Sequence, residues 1–123
     1  MDFDARRVPK PGTLPAPKCN AGTIDVRNNS QLVLAHIEPT PGPGSGRENM
    51  VLRASYDDGA TFPYRQMLWA GPAAYVTLTT TEEEGSVGLL YENGVASEKQ
   101  SCYQRISYQK VPVPAKPPPA PGL

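Results

Sequence analysis

Proline and glycine set the limits on this chain. Fifteen prolines and eleven glycines make up 26 of its 123 residues, about 21%, against roughly 12% in an average chain. That content is incompatible with a helical bundle. The prolines also cluster, four in residues 9–17 and six in residues 112–121. Both ends therefore read as extended, poorly packed segments, a Pro-rich 1–18 and a Pro-rich tail 112–123. Roughly 90 residues between them are left to build one modest core.

That centre reads as strands and turns. Residues 23–27 alternate apolar and polar, Asn28-Asn29-Ser30 supplies a turn, and residues 31–37 are a mostly apolar run of strand length. Residues 38–46, with three prolines and three glycines, can only be a loop. Strands follow at 50–56 and 61–68, joined by the turn Asp57-Asp58-Gly59-Ala60. Pro63 cannot donate to a ladder, which assigns that second strand to a sheet edge. Further strands are expected at 73–80, 87–91 and 103–111, with the acidic turn Glu82-Glu83-Glu84-Gly85 after the first of them. No window shows a 3.6-residue period. The expectation is an antiparallel all-β protein of seven short strands.

Charge and cysteine content exclude several function classes. Twelve basic and twelve acidic residues cancel, so no excess points to nucleic acid or to an anionic membrane surface. The apolar runs are too short for a transmembrane helix, and residues 1–7 lack the apolar centre of a signal peptide. Two cysteines, Cys19 and Cys102, exclude a four-cysteine zinc site. They could pair or stay reduced, which leaves the compartment open. The single histidine, His36, has no metal-ligand partner at a useful spacing and reads as a strand residue, and no cofactor motif is present. Asn28-Asn29-Ser30 matches a glycosylation sequon, relevant only in a secreted protein.

The sharpest local pattern is Ser55-x-Asp57-x-Gly59-x-Thr61-Phe62, which fits an Asp box. Its logic is turn chemistry: Asp57 accepts bonds from its own turn, Gly59 takes a positive φ, Ser55 and Thr61 bond across the hairpin, and Phe62 packs beneath. An ordinary Asp-Gly hairpin would look the same, and either way the motif is structural. It gains meaning from what surrounds it. Arg47 precedes it. Gly71-Pro72-Ala73-Ala74-Tyr75, Ser86-Val87-Gly88-Leu89-Leu90-Tyr91-Glu92-Asn93-Gly94 and Tyr103-Gln104-Arg105-Ile106-Ser107 follow it, and Cys19-Asn20-Ala21-Gly22-Thr23 opens the centre. This succession, over about residues 19–110, resembles the C-terminal part of the exo-α-sialidase (neuraminidase) family.

The resemblance implies a partial sialidase-type β-propeller, one four-stranded and one three-stranded antiparallel blade over residues 19–111. A six-bladed ring needs roughly 300 residues, so the other four blades would lie outside this chain. It implies that Tyr75 is the nucleophile of a retaining hydrolysis of sialylated glycoconjugates. A phenol avoids the repulsion that the substrate carboxylate would exert on an Asp or Glu. Arg47 would grip that carboxylate with its planar, permanently charged fork. Glu92 would orient a carboxylate-binding arginine from an earlier blade; a solvent-exposed strand end is the competing reading. Val76 departs from the serine often found there. Tyr103 and Arg105 are assigned to strand packing. No residue matches the family's acid/base Asp, its other two arginines or the Glu that activates the Tyr. The chain alone is therefore expected to be inactive. The alternative is a non-catalytic β-rich interaction module whose Pro112–Pro119 stretch is a polyproline ligand for an SH3 or WW domain.

Overall fold

The computed structural model describes residues 20–27, 30–40, 46–97 and 101–119. They form six strands: β1 (Gly22–Val26), β2 (Gln31–Ile37), β3 (Glu48–Ser55), β4 (Tyr64–Thr80), β5 (Ser86–Asn93) and β6 (Arg105–Pro112), with a short 3-10 turn at Ser101–Tyr103. All neighbours are antiparallel and the spatial order is the chain order, β1-β2-β3-β4-β5-β6. The sheet curls into a half-barrel.

Alternation explains which residues line its inside. Val33, Ala35 and Ile37 of β2, Met50, Leu52 and Ala54 of β3, and Val87, Leu89 and Tyr91 of β5 point one way. They meet Ala73, Val76 and Val111 in one buried cluster. Nearly complete burial makes each larger aliphatic side chain worth about 2 kcal/mol of hydrophobic stabilisation.

The expected fifth strand is not separate. Residues 61–68 and 73–80 were expected as two strands joined by a crossing at residues 69–72; instead β4 runs through them for 17 residues. It changes partner on the way. Tyr64 to Pro72 pair with β3, and Ala73 to Thr80 pair with β5. Gly71, at φ 145, lets the backbone turn without leaving the ladder. Pro72 stays paired with Glu48, and its carbonyl accepts the Gly94 N–H at 3.1 Å. Among the described residues the strand count is therefore six.

Pro63 lies just before β4, and the adjoining segment Tyr64–Pro72 pairs with β3 alone, so its other side is an open edge, as expected. The residue without a donor sits in the turn, where no ladder bond is lost.

The start of the Pro-rich tail is packed rather than loose. Pro112 belongs to β6 and Val113 is buried in the core. The Val113 N–H donates to Gly85 O at 2.7 Å, and Arg27 Nη2 donates to Val113 O at 2.9 Å. Pro114 O accepts from Gln31 Nε2 at 2.6 Å and from the Tyr56 hydroxyl at 2.7 Å. Both contacts bridge more than fifty positions of sequence. Residues 115–117 and 119 are exposed. Residues 1–18, Cys19, the Asn28-Asn29 turn and residues 120–123 lie outside the described residues, whereas Cys102 is a half-buried free thiol.

Candidate functional site

Residues 55–62 form the turn their spacing calls for. Asp57 Oδ1 accepts the Thr61 N–H and the Ser55 hydroxyl, each at 2.8 Å, and Oδ2 accepts the Thr61 hydroxyl. Ser55 Oγ in turn accepts the Gly59 N–H at 2.8 Å. Asp58 and Gly59 take positive φ, 63° and 89°, and Phe62 is buried beneath. Partial desolvation would raise the Asp57 carboxyl pKa. The bonds from the Thr61 hydroxyl and amide and from Ser55 outweigh it and hold the group below the usual carboxylate value. Asp57 is thus fully engaged in its own hairpin.

Arg47 and Tyr75 meet at the other end of β3. The Arg47 guanidinium carbon lies 5.4 Å from the Tyr75 ring centroid, within cation–π range. The Arg47 carbonyl accepts the Ala73 N–H at 3.1 Å, which ties the residue before β3 to the middle of β4. Arg47 is half-buried and Tyr75 is 49% exposed. The eight residues of β3, about 25 Å of strand, separate this pair from the Asp57 turn. Arg47 and Tyr75 lie at the opposite end of β3 from the Asp57 turn, and a continuous β4, not a crossing loop, delivers Tyr75.

Bulges in β4 aim these groups. Between Trp69 and Pro72 the strand carries an extra residue opposite Asn49, and between Ala73 and Val76 it carries another opposite Glu92. Bulges bend a strand and re-aim its side chains. They also leave backbone amides without a ladder partner, and here the facing side chain takes each one. Asn49 Oδ1 accepts the Gly71 N–H at 3.2 Å, and Glu92 Oε1 accepts the Tyr75 N–H at 3.0 Å. Asn20 Oδ1 accepts the next amide, that of Val76, at 3.0 Å. The described contact of Glu92 is therefore with the backbone of the candidate nucleophile.

Tyr103 joins the pair. It sits in the 3-10 turn rather than in a strand, and its hydroxyl accepts a bond from Arg47 Nη1 at 2.7 Å. The Cys102 side-chain hydrogen bond, with some desolvation, pushes the Tyr103 phenol up in pKa, while the Arg47 charge opposes the shift. Arg105, also assigned to packing, lies over the Trp69 ring at 5.7 Å. A shallow groove of about 290 Å³ runs beside Tyr75, lined by Asn20, Thr77, Leu90, Glu92 and Ile106 among others.

A second polar cluster lies on β2, β3 and β4. Glu38 receives His36 Nε2 at 2.8 Å, Arg53 Nε at 2.6 Å and Arg65 Nη2 at 3.1 Å. Burial alone would raise its pKa, but the bonds from His36 and Arg53, with their charges, bring it down to about 2. His36 is thus a buried partner of Glu38. Among the described residues, no group of His, Cys, Asp and Glu is arranged to hold a metal ion, and no helix is long and apolar enough to cross a membrane.

Three of these residues, Tyr103, Asn49 and Asn20, were not expected at the site. Asn49 carried a faint signal, since asparagine is enriched among residues with positive φ and Asn49 has φ 66. Tyr103 carried none, because its bond spans 56 positions.

In chemical terms, the arrangement is a guanidinium against two phenols, of which Tyr75 also lines the neighbouring groove, and a guanidinium there can pair with a carboxylate. No protein-family model, curated protein or solved structure matches the chain.

Proposed function

We infer that this chain is the C-terminal part of an exo-α-sialidase, in which Tyr75 is the nucleophile and Arg47 one of the substrate-carboxylate ligands. The observation that carries this reading is the meeting of Arg47 and Tyr75, 5.4 Å apart and at the opposite end of β3 from the Asp-box turn. The reaction retains configuration. Tyr75 Oη bonds to the anomeric carbon as the aglycone leaves, and water then releases the sugar. Arg47 neutralises the substrate carboxylate and so makes the anomeric centre approachable. Acid/base catalysis and the remaining carboxylate ligands come from outside this chain.

The test is covalent trapping. The protein is expressed together with its upstream coding sequence and treated with a 2,3-difluorinated sialic acid, and peptides are read by mass spectrometry. The label is expected on Tyr75, and Tyr75→Phe should abolish both label and turnover. Labelling elsewhere, or wild-type turnover in Tyr75→Phe, refutes the assignment.

A second reading, a polyproline ligand for an SH3 or WW domain, draws on the exposure of residues 115–117 and 119. The anchoring of Val113 and Pro114 limits such a ligand to the residues beyond them.

A further inference from the structure

We propose that Asn49 is the positioning residue that holds Arg47 over Tyr75, by acting as a side-chain plug between the end of β2 and the bulge in β4. The proposal rests on the reading of Arg47 and Tyr75 as the site, but not on any sialoside chemistry.

Asn49 makes contacts in three directions. Its carbonyl accepts the Glu38 N–H at 2.9 Å, and its Nδ2 donates back to Glu38 O at 3.1 Å. This two-bond ring fastens it to the residue just after β2. Its Oδ1 accepts the Gly71 N–H at 3.2 Å, inside the bulge. Its Nδ2 also approaches Thr40 Oγ1 at 3.4 Å. A residue with φ 66 is needed to aim backbone and side chain this way, and asparagine tolerates that region better than most L residues.

Both anchors are themselves held by neighbours. The Glu38 carboxylate is held by His36, Arg53 and Arg65. Gly71 is four positions before Tyr75, and a Cβ there would meet Trp69 Nε1 at 3.3 Å. Arg47 lies two residues before Asn49, with its carbonyl fixed by Ala73. Asn49 therefore sets the distance between the backbone that bears Arg47 and the bulged segment that leads to Tyr75. Glu92 fills the neighbouring bulge in the same manner, so both reach and angle of the pair are fixed by side chains plugging β4.

Two-dimensional NMR of the 123-residue chain tests this directly. The Arg47 Nε–Hε resonance feels the Tyr75 ring current, and Tyr75→Leu supplies its position with the ring removed. Asn49→Gly keeps the left-handed backbone and deletes both side-chain arms. The expected result is an Arg47 resonance displaced toward the Tyr75→Leu position. Gly71 amide exchange should be roughly tenfold faster, the loss of one ordinary hydrogen bond. Asn49→Asp retains the acceptor for Gly71 and loses the donor to Glu38 O. It should preserve Gly71 protection while still displacing Arg47. An Arg47 resonance at its wild-type position in folded Asn49→Gly overturns the proposal. If that variant does not fold, a wild-type Arg47 position in Asn49→Asp overturns it equally. Failure of the sialidase reading appears elsewhere, as absent labelling of Tyr75 with the Arg47 displacement intact.

Discussion

Arg47 and Tyr75 are 28 positions apart in sequence, yet the guanidinium of one lies 5.4 Å from the ring centroid of the other. Arg47 is pinned by its carbonyl to Ala73 and by its Nη1 to the Tyr103 hydroxyl, and the Tyr75 amide is pinned to Glu92. Such a pair is worth about 0.5–1 kcal/mol at an exposed site, too little to bring the strands together. The fold places it.

The isolated chain should not turn over a fluorogenic sialoside. It offers one candidate carboxylate ligand and no candidate acid/base, and solvent weakens a lone exposed ion pair to about 0–1 kcal/mol. Release of fluorophore by purified protein well above the Tyr75→Phe background would be the contrary result.

Tyr103→Phe removes the acceptor for Arg47 Nη1 and keeps the ring. It should leave the thermal midpoint nearly unchanged, because the bond is exposed. In an active, longer polypeptide it should raise KM more than it lowers kcat, since the Arg47 fork loses its brace. An equal KM with kcat reduced would place Tyr103 in the chemistry instead.

Glu38→Gln should cost about 3–5 kcal/mol, because Arg53, 3% exposed, loses its buried carboxylate. The pH dependence follows from the sign of the shift. The Glu38 pKa falls from 4.5 in the unfolded chain to about 2 in the folded one. Its stabilisation is complete above the unfolded value and is lost as pH falls from about 4.5 toward about 2. Urea midpoints measured over that window should drop in the wild type and drop less in Glu38→Gln; parallel curves would contradict it.

Gly71→Ala should destabilise the protein by about 1–3 kcal/mol, the cost of a strained backbone residue. At φ 145 an L side chain is disfavoured, and its Cβ would press on Trp69 Nε1 at 3.3 Å. Trp69 fluorescence should report the change, since its indole N–H donates to Gly94 O. An unchanged denaturation midpoint would show that β4 tolerates a different path through its bulge.

Asp57→Ala should cost about 1–2 kcal/mol through loss of the turn's acceptors, with no effect on the Arg47 resonance at the far end of β3. A displaced Arg47 resonance would mean the two ends are coupled.

Local physics made much of this protein legible from its sequence. The mostly apolar run of residues 31–37 and the two-faced stretch 50–56 mark β2 and β3, and the spacing of Ser55, Asp57, Gly59, Thr61 and Phe62 specifies its own turn, because every bond in it spans four residues or fewer. The pairing of Arg47 with Tyr75 was reachable through strand direction alone, since antiparallel neighbours return to the same end. Other features were decided only in three dimensions. Pro72 looks like a strand breaker, but once folded its missing N–H costs nothing, and its carbonyl is taken by Gly94, 22 positions away. Val113 looks like part of a loose proline tail until Arg27 just after β1, Gln31 of β2 and Gly85 just before β5 meet it and Pro114. The roles of Asn49 and of Glu92, which accepts the Tyr75 N–H, depend on bulges, which shift register by one residue and leave no periodic trace, and Tyr103 reaches Arg47 from a 3-10 turn 56 positions away. Alternation reports which face a residue takes; it does not report where a strand changes partner, and that is where the candidate site lies.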